Sequence, residues 1–571
     1  MSDGRQPARR RRVGWIIGLL AAVLLVAIGW VVVRGAGALS ELQNLRNSVA
    51  QLQSAVADRS SERVERIAPR IEQHAALARE LTSDPVWRGF ELLPWVGGNL
   101  TAVREVAEIA DDTAAAALDP IVGIAPDAEL ATLGLSGGRI DLAKLRGLAE
   151  PLSSSAAALS SADTRARQID VDVSIGPIAD AVTGARGLIR TAAATVGGLH
   201  GASVLLPSML GGDGPRNYLI AVQDNSEIRS QGGAIAAFVV VRVDDGAVRI
   251  GRTVRASDLP PLKKPLPLDD AVLALYGDGP ARVANEATSA PDFATAGELL
   301  VQYWKQRFDA SVAGVIAVDI ETMRYVLAPT DGISFGGFAA ASGSIASTLA
   351  VDVPSTVSDP AERQTLFAEA ARTTLDALLS SPEPDEVMAA FAAAATADRI
   401  RVWSAAPDEQ EFLEKTSLAG ALPTDGDGEV AVGVLLDDRT HAPLGPYVDT
   451  TISTAIGMCA GAPTTQVSVT WTNAVPDEVA AAATAPADGA PGDVRTLIAI
   501  YGPQGASAGD ESTTALADRP VVQHDVTVAP GESRTVTATF TGPGAGHEPT
   551  RVHHTPMLED PEIVHVDLDC G

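Results

Sequence analysis

Basic side chains and aromatics are what this sequence is short of. Lys and Arg number 43 against 72 Asp and Glu, a formal net charge of −29, and aromatics make up 4% of the 571 residues. A phosphate backbone needs a basic face, so nucleic acid is excluded as the main partner. Lysine is scarcer still, five beside 38 arginines, which with the abundant Ala and Gly reads as high-GC coding rather than chemistry. Only two cysteines occur, Cys459 and Cys570, too few for a zinc cluster or a disulfide scaffold. A dinucleotide-binding Gly fingerprint, a P-loop, an HExxH helix and a GxSxG elbow are all missing. No Ser or Cys has an identifiable base partner, so a hydrolase triad has no support.

What is present begins at the N-terminus. Arg5, Arg9, Arg10, Arg11 and Arg12 precede an uncharged run from Val13 to Val33. As a helix rising about 1.5 Å per residue, that run crosses a hydrocarbon core of about 30 Å. The positive-inside rule keeps residues 1–12 cytoplasmic and sends everything after residue 33 outward, a single-pass topology at the cell membrane. Ala36-Gly37-Ala38 resembles a signal-peptide cleavage site, but the apolar run exceeds the usual ~7–15 residues, which favours a retained anchor at 13–33. Leu42, Leu45, Val49, Leu52 and Val56 then recur at heptad spacing, continued by Val64, Ile67 and Ile71. This seam either pairs with a second chain, giving a homo-oligomer through the 42–71 helix, or packs on the helices that follow. Residues 34–212 read as a helical stalk whose Ala-rich patterns are broken by Pro120, Pro126, Pro151 and Pro177, with Trp87 and Trp95 fixing a corner near Pro94.

From residue 213 the pattern mixes strands and helices. Tyr218–Gln223 reads as a strand and 224–233 as a polar loop. Strands Ala234–Val243 and Ala247–Val254 flank the turn Asp244-Asp245-Gly246. Helices at Ala294–Arg307, Ile320–Leu327 and Ala361–Leu379 alternate with strands Gly314–Asp319 and Arg401–Ser404, a layered α/β domain over 213–420. Residues 421–571 hold 21 acidic and five basic side chains. Five short β runs there, at Val430–Leu436, Val467–Thr472, Val494–Ile500, Val521–Val528 and Ser533–Phe540, predict a β-sandwich. The expected fold class is thus α+β multidomain: transmembrane helix, helical stalk, layered α/β domain and C-terminal β-sandwich-like domain.

The text Arg216-Asn217-Tyr218-Leu219-Ile220, Gln223-Asp224-Asn225-Ser226-Glu227-Ile228-Arg229 and Gly232-Gly233 resembles the bacterial family called domain of unknown function 4012. The Pro94-Trp95-Val96-Gly97 corner and Gly314–Asp319 look similar too. A weaker resemblance is to the LytR–CpsA–Psr family, anchored enzymes that move polyprenyl-pyrophosphate-linked glycans onto the cell wall. It rests on Arg229-Ser230-Gln231, Arg255-Ala256-Ser257-Asp258, Asn285-Glu286-Ala287, Thr330-Asp331-Gly332-Ile333 and Glu362-Arg363-Gln364, in that order. Where those transferases carry a magnesium-binding Asp, this chain has Gln231, and their Arg-rich strand has no clear counterpart at 334–350.

That second resemblance implies Arg229, Arg255 and Asp258 as catalytic residues, with Asn225, Glu227 and Arg363 holding the substrate. Arg252 and Arg282 stand in reserve, and magnesium is the cofactor if catalysis survives. Arginines can clamp a pyrophosphate bidentately; Asp224, Glu227 and Asp258 could hold a metal. In the other reading, Glu227 and Arg229 pair with each other and the remaining charges are solvated. Asp425-Gly426-Asp427-Gly428-Glu429 hints at a calcium loop without its full ligand set. His547, His553, His554 and His565 read as surface histidines. In an oxidising exterior Cys459 and Cys570 are expected to pair. Two functions follow: an extracytoplasmic envelope protein binding or transferring polyprenyl-linked glycan, or a non-catalytic envelope scaffold.

Overall fold

The computed structural model describes residues 8–58, 60–94, 96–127, 139–169, 176–422, 430–483, 485–486, 489–509, 514–545 and 550–570. The chain divides into two compact units, residues 1–129 with 143–206 and residues 130–142 with 207–571.

The first unit is helical: α1 (Ala8–Ala57), α2 (Ser61–Thr82), α3 (Pro85–Phe90), α4 (Gly97–Asp127), α5 (Leu142–Arg167) and most of α6 (Gly176–Met209). Within α1, the stretch Ala22–Val56 is long and apolar enough to cross a membrane, alone among the described residues. The heptad seam is not one helix. The chain leaves α1 after Ala57 and re-enters α2 at Ser61, so Leu45, Val49 and Leu52 pack on Val64, Ile67 and Ile71 of the same chain and on Ala114 and Leu118 of α4. α2 therefore runs back along α1. At its far end Asp84 caps α3 by accepting from Val86 N and Trp87 N at 2.8 and 3.1 Å, with Pro85 in the first turn, where a missing N–H is harmless. The expected breaks at Pro120 and Pro151 do not occur: α4 and α5 run through them, and Pro126 stands one residue before the last described residue of α4. Trp95 lies outside the described residues.

The second unit opens with β1 (Arg216–Arg229), β2 (Gly232–Asp244) and β3 (Ala247–Arg255). The β2–β3 turn places Asp245 and Gly246 at positive φ, 47° and 76°, the conformation a tight hairpin demands. Then come α7 (Asp270–Tyr276), α8 (Gly279–Arg282), α9 (Phe293–Phe308), β4 (Gly314–Val318) and α10 (Ile320–Val326). A small hairpin, β5 (Ile333–Phe335) and β6 (Phe338–Ala340), precedes the short α11 (Ile345–Ser347) and α12 (Val353–Thr356). The longer α13 (Pro360–Leu379) and α14 (Pro384–Thr396), then β7 (Ile400–Ser404) and α15 (Pro407–Leu413), complete the layer. The main sheet has order β3-β2-β1-β4-β7, with β1 and β4 parallel and the other neighbours antiparallel.

Side chains alternate across β1 as a strand buried on both faces requires. Tyr218, Ile220 and Val222 face a core with Met323 of α10 and Phe367 and Ala371 of α13. Leu219 and Ala221 face the opposite core, with Leu299, Leu300 and Trp304 of α9.

The acidic region forms two sheets: β14-β10-β9-β16 and β12-β13-β11-β8-β15. The strands in chain order are β8 (Val430–Asp438), β9 (Val448–Cys459), β10 (Ala462–Asn473), β11 (Val494–Tyr501), β12 (Thr514–Leu516), β13 (Arg519–Val528), β14 (Ser533–Thr541), β15 (Thr550–His554) and β16 (Glu562–His565). A short α16 (Asp477–Ala482) lies between β10 and β11. Val432, Val434 and Leu436 of β8 and Ile498 and Ile500 of β11 meet Ile452, Val467, Val469, Trp471 and Phe540 from the other sheet, the face-to-face core of a sandwich. Cys459 and Cys570 are joined by a disulfide with Cα atoms 5.5 Å apart, fixing the tail after β16 beside the end of β9. The acidic cluster Asp425–Glu429 lies outside the described residues.

Candidate functional site

The expected polar loop 224–233 is mostly strand. β1 continues past Gln223 to Arg229 through a register shift between Asp224 and Ile228, and pairing with β2 resumes at Ile228–Gly233. Beyond the bulge Ile228 and Arg229 still pair with Gly233 and Gly232 of β2, but their side chains reach the sandwich. Ile228 is buried in the sandwich core with Val434 and Leu444. The polar residues of this text therefore lie where the α/β layer meets the sandwich.

Arg229 is 1% exposed. Its guanidinium donates to Ile228 O at 2.9 Å and Asp438 O at 3.3 Å, and its Nε stands 3.7 Å from Asp437 Oδ1. Glu227 is 3.9 Å away, and His441 Nδ1 lies 3.3 Å from Nη2. Burial pulls the Arg229 pKa down, but Asp437, Glu227 and Asp438 together hold it above its ordinary value. Asp437 also accepts from Ser289 Oγ at 2.8 Å and pairs with Arg439 at 2.9 Å. Burial raises the Asp438 carboxyl to about 6, although Arg229 and the Thr440 N–H draw it back.

Asn225, fully buried, forms a second tie. Its Nδ2 donates to Asp319 Oδ2 at 3.1 Å and Pro556 O at 3.3 Å, while its Oδ1 accepts from Ile320 N. Asp319 caps α10 through Thr322 N at 2.6 Å and pairs with Arg399 at 3.3 Å. Arg399 in turn donates to Met557 O and pairs with Asp560 at 2.6 Å. The segment after β15 is thus tied to the α/β layer by buried charge.

The arginines do not converge. Arg255 forms a bidentate pair with Asp258 at 3.0 and 2.7 Å, which lowers the Asp258 pKa, and both side chains are open to solvent. Arg252 covers the rings of Trp304 and Phe308, and Arg282 pairs with Asp278. Arg363 donates to Ser358 O at 3.0 Å and lines a cleft with Asp224, Glu227, Asn285, Gln364 and Phe367. The free space is about 30 Å³, room for about two waters at roughly 10–15 Å³ each. Two carboxyls face one guanidinium there, so the cleft offers a pyrophosphate no net positive charge. Asp224 accepts from Ser226 N at 2.9 Å, and burial, then the Glu227 charge, raises it to about 7.

Gln231 does not fit a magnesium site. It is buried, its Nε2 donates to Pro291 O at 2.8 Å, and its Oε1 and the Arg401 Nε stand 2.8 and 2.5 Å from where a Cβ on Gly420 would be. A cation beside the only free oxygen opposes a second cation. Among the described residues no three His, Cys, Asp or Glu side chains cluster as metal ligands. His553 is half-buried rather than on the surface, and burial with the Arg401 charge lowers it to about 4. His565 bonds Thr454 at 2.8 Å, and His547 lies outside the described residues.

Sequence reasoning missed Asp437, Asp438, Asp319 and Arg399. One signal was available: Val430–Leu436 is apolar on both faces and runs straight into Asp-Asp, a buried carboxylate pair that needs a cation.

These features define a class: a layered α/β fold locked to an acidic β-sandwich through buried charge, preceded in sequence by a long apolar helix. Residues 213–353, which hold β1 to β6, match the family model described as Protein of unknown function (DUF4012). No curated protein and no solved structure matches the chain.

Proposed function

We propose that this chain is a membrane-anchored, extracytoplasmic scaffold of the cell envelope, with the sandwich as its interaction module, and not a glycan transferase. The observation that carries this reading is the use made of Arg229: the charge a transferase would aim at a pyrophosphate is buried against Asp437 and Asp438, joining two layers of one unit. The orientation is supported by the arginine cluster before the apolar run. The Cys459–Cys570 disulfide also supports it, since such bonds persist in oxidising compartments.

Two measurements test it. A reporter active only outside the cytoplasm, fused after Ser40, should work; activity of a cytoplasm-only reporter at the same point would overturn the topology. The detergent-solubilised full chain, with magnesium, should neither bind nor transfer a polyprenyl-pyrophosphate analogue, and Gln231→Asp should not change that. Magnesium-dependent transfer by either protein would replace the scaffold reading with the enzymatic one.

A further inference from the structure

The helical unit carries an apolar corner at the end of the membrane span. α2 runs back along α1 until Leu81 and Asp84 reach Arg34: the guanidinium donates to Leu81 O at 2.9 Å and pairs with Asp84 at 2.9 Å. Trp87 of α3 is buried against Val31, Ala38 and Val103, and its indole N–H donates to Leu100 O at 3.2 Å. The corner between α2 and α4 is therefore pinned to α1 at residues 31–38. The uncharged run ends at Val33, within about one helical turn, ~5 Å, of those contacts. The interfacial layer on each side of a bilayer is itself about 5–8 Å thick.

Among its described residues this corner shows solvent four large apolar side chains, with Arg88 beside them paired to Glu108 at 3.2 Å. Leu92 is 86% exposed, and Val86, Leu93 and Val96 are 38%, 44% and 49% exposed. On α1, Val23, Leu24, Leu25, Val26, Val32 and Val33 are also exposed, the surface a lipid-facing helix presents. Trp30, half-exposed with Arg34 5.3 Å above its ring, stands where interfacial Trp and Arg anchors collect. The apolar surface of the corner is thus continuous in height with the end of the span.

We propose that residues 86–93, with Val96, form an interfacial lip that lies in the headgroup layer of the same membrane that α1 spans, giving the protein a second point of membrane contact. The lip fixes the angle at which the helical unit leaves the membrane, because one helix alone can tilt and turn. This proposal rests on α1 being a membrane anchor.

Single-cysteine variants of the full chain test it, since the two native cysteines are already paired. Leu92→Cys, Leu25→Cys and, as a water-exposed control at the far end of α2, Glu62→Cys carry an environment-sensitive fluorophore. The proteins are reconstituted in phosphatidylcholine vesicles containing some phosphatidylglycerol and a nitroxide lipid. A nitroxide near the headgroups should remove most of the Leu92 emission and leave Glu62 unchanged, while a nitroxide deep in the acyl chains should quench Leu25. Val96→Cys repeats the Leu92 measurement at a second point of the lip. Quenching at Leu25 with Leu92 and Val96 behaving like Glu62 leaves the anchor standing and removes the lip. No quenching at Leu25 removes the anchor and the lip together. A Leu92 probe shielded from aqueous iodide but untouched by nitroxide lipid would mean a protein covers the corner, which also overturns the proposal.

Discussion

Arg229 shows how far a single residue can be judged from its neighbours in sequence. The text Glu227-Ile228-Arg229 flags charge next to a glycine pair, and both an external anion and an internal partner satisfy that pattern. Burial separates them, because a guanidinium at 1% exposure between Asp437 and Glu227 has no free face for a ligand. Arg229→Ala should destabilise the fold by about 3–5 kcal/mol by leaving buried carboxylates without their cation, read from the denaturant midpoint of the full chain. Loss of an activity with unchanged stability would contradict the structural role.

Asp224 offers the second test. Its folded pKa, about 7, lies above the ordinary value of 3.8, so between those pH values the folded state binds more protons than the unfolded one. Stability from this group therefore falls as pH rises from about 4 to about 7. His553, lowered to about 4 from 6.5, acts in the opposite sense: the unfolded state takes the proton first, and stability rises with pH between those values. Above pH 6.5 only Asp224 remains of these two. Asp224→Asn should raise the denaturant midpoint most at pH 8 and change it little below about pH 4, flattening the profile between.

At the scale of elements, period-2 and period-3.6 patterns located the long pieces well. α9, α13, β4 and the β2–β3 hairpin fall within one or two residues of where the residue pattern puts them. The reading failed where an element depends on a distant partner. β1 continues through Asp224-Asn225-Ser226-Glu227 because pairing with β2 resumes beyond the bulge at Ile228 and Arg229, and a polar run gives no local sign of that. β9, rich in Thr and Ser, and the short β15 and β16 exist by pairing with β10, β8 and β9.

Gly233 is what permits the bulge: a Cβ there would stand 2.2 Å from Asp224 O and 2.6 Å from Asn225 N, both backbone atoms that cannot swing aside. Gly233→Ala should cost about 1–3 kcal/mol or more through overpacking. Gly343→Ala, whose added Cβ meets open space, should stay within about 0.5 kcal/mol. Equal midpoints for the two variants in chemical denaturation would show that the bulge tolerates a side chain.

For the molecule as a whole, the α/β layer and the sandwich belong to one compact unit. Ile228, Arg229, Asn225, Arg399 and the segment 556–560 tie them by apolar burial and charge at once. Residues 207–571 produced without the helical unit should then unfold in a single transition, with far-UV and near-UV circular dichroism coincident. Residues 207–420 alone should bind a hydrophobic dye and unfold broadly, because Ile228 would face water and Arg229 would lose both aspartates. Two separate transitions in the longer piece would mean that the buried charges do not couple the layers.

The sequence by itself determined the apolar N-terminal helix, the helical stretch after it, the alternation of strands and helices from residue 213 and the acidic β region, because each follows from local periodicity and composition. It also carried the text over residues 213–353 that matches the family model. Only the tertiary structure decided that the heptad seam folds back on its own chain, that the arginines are spent on different partners, and that Arg229 is internal. Those outcomes depend on which groups are brought together across hundreds of residues. A charged side chain has the same letter whether its counter-ion is a ligand or an aspartate 208 positions away.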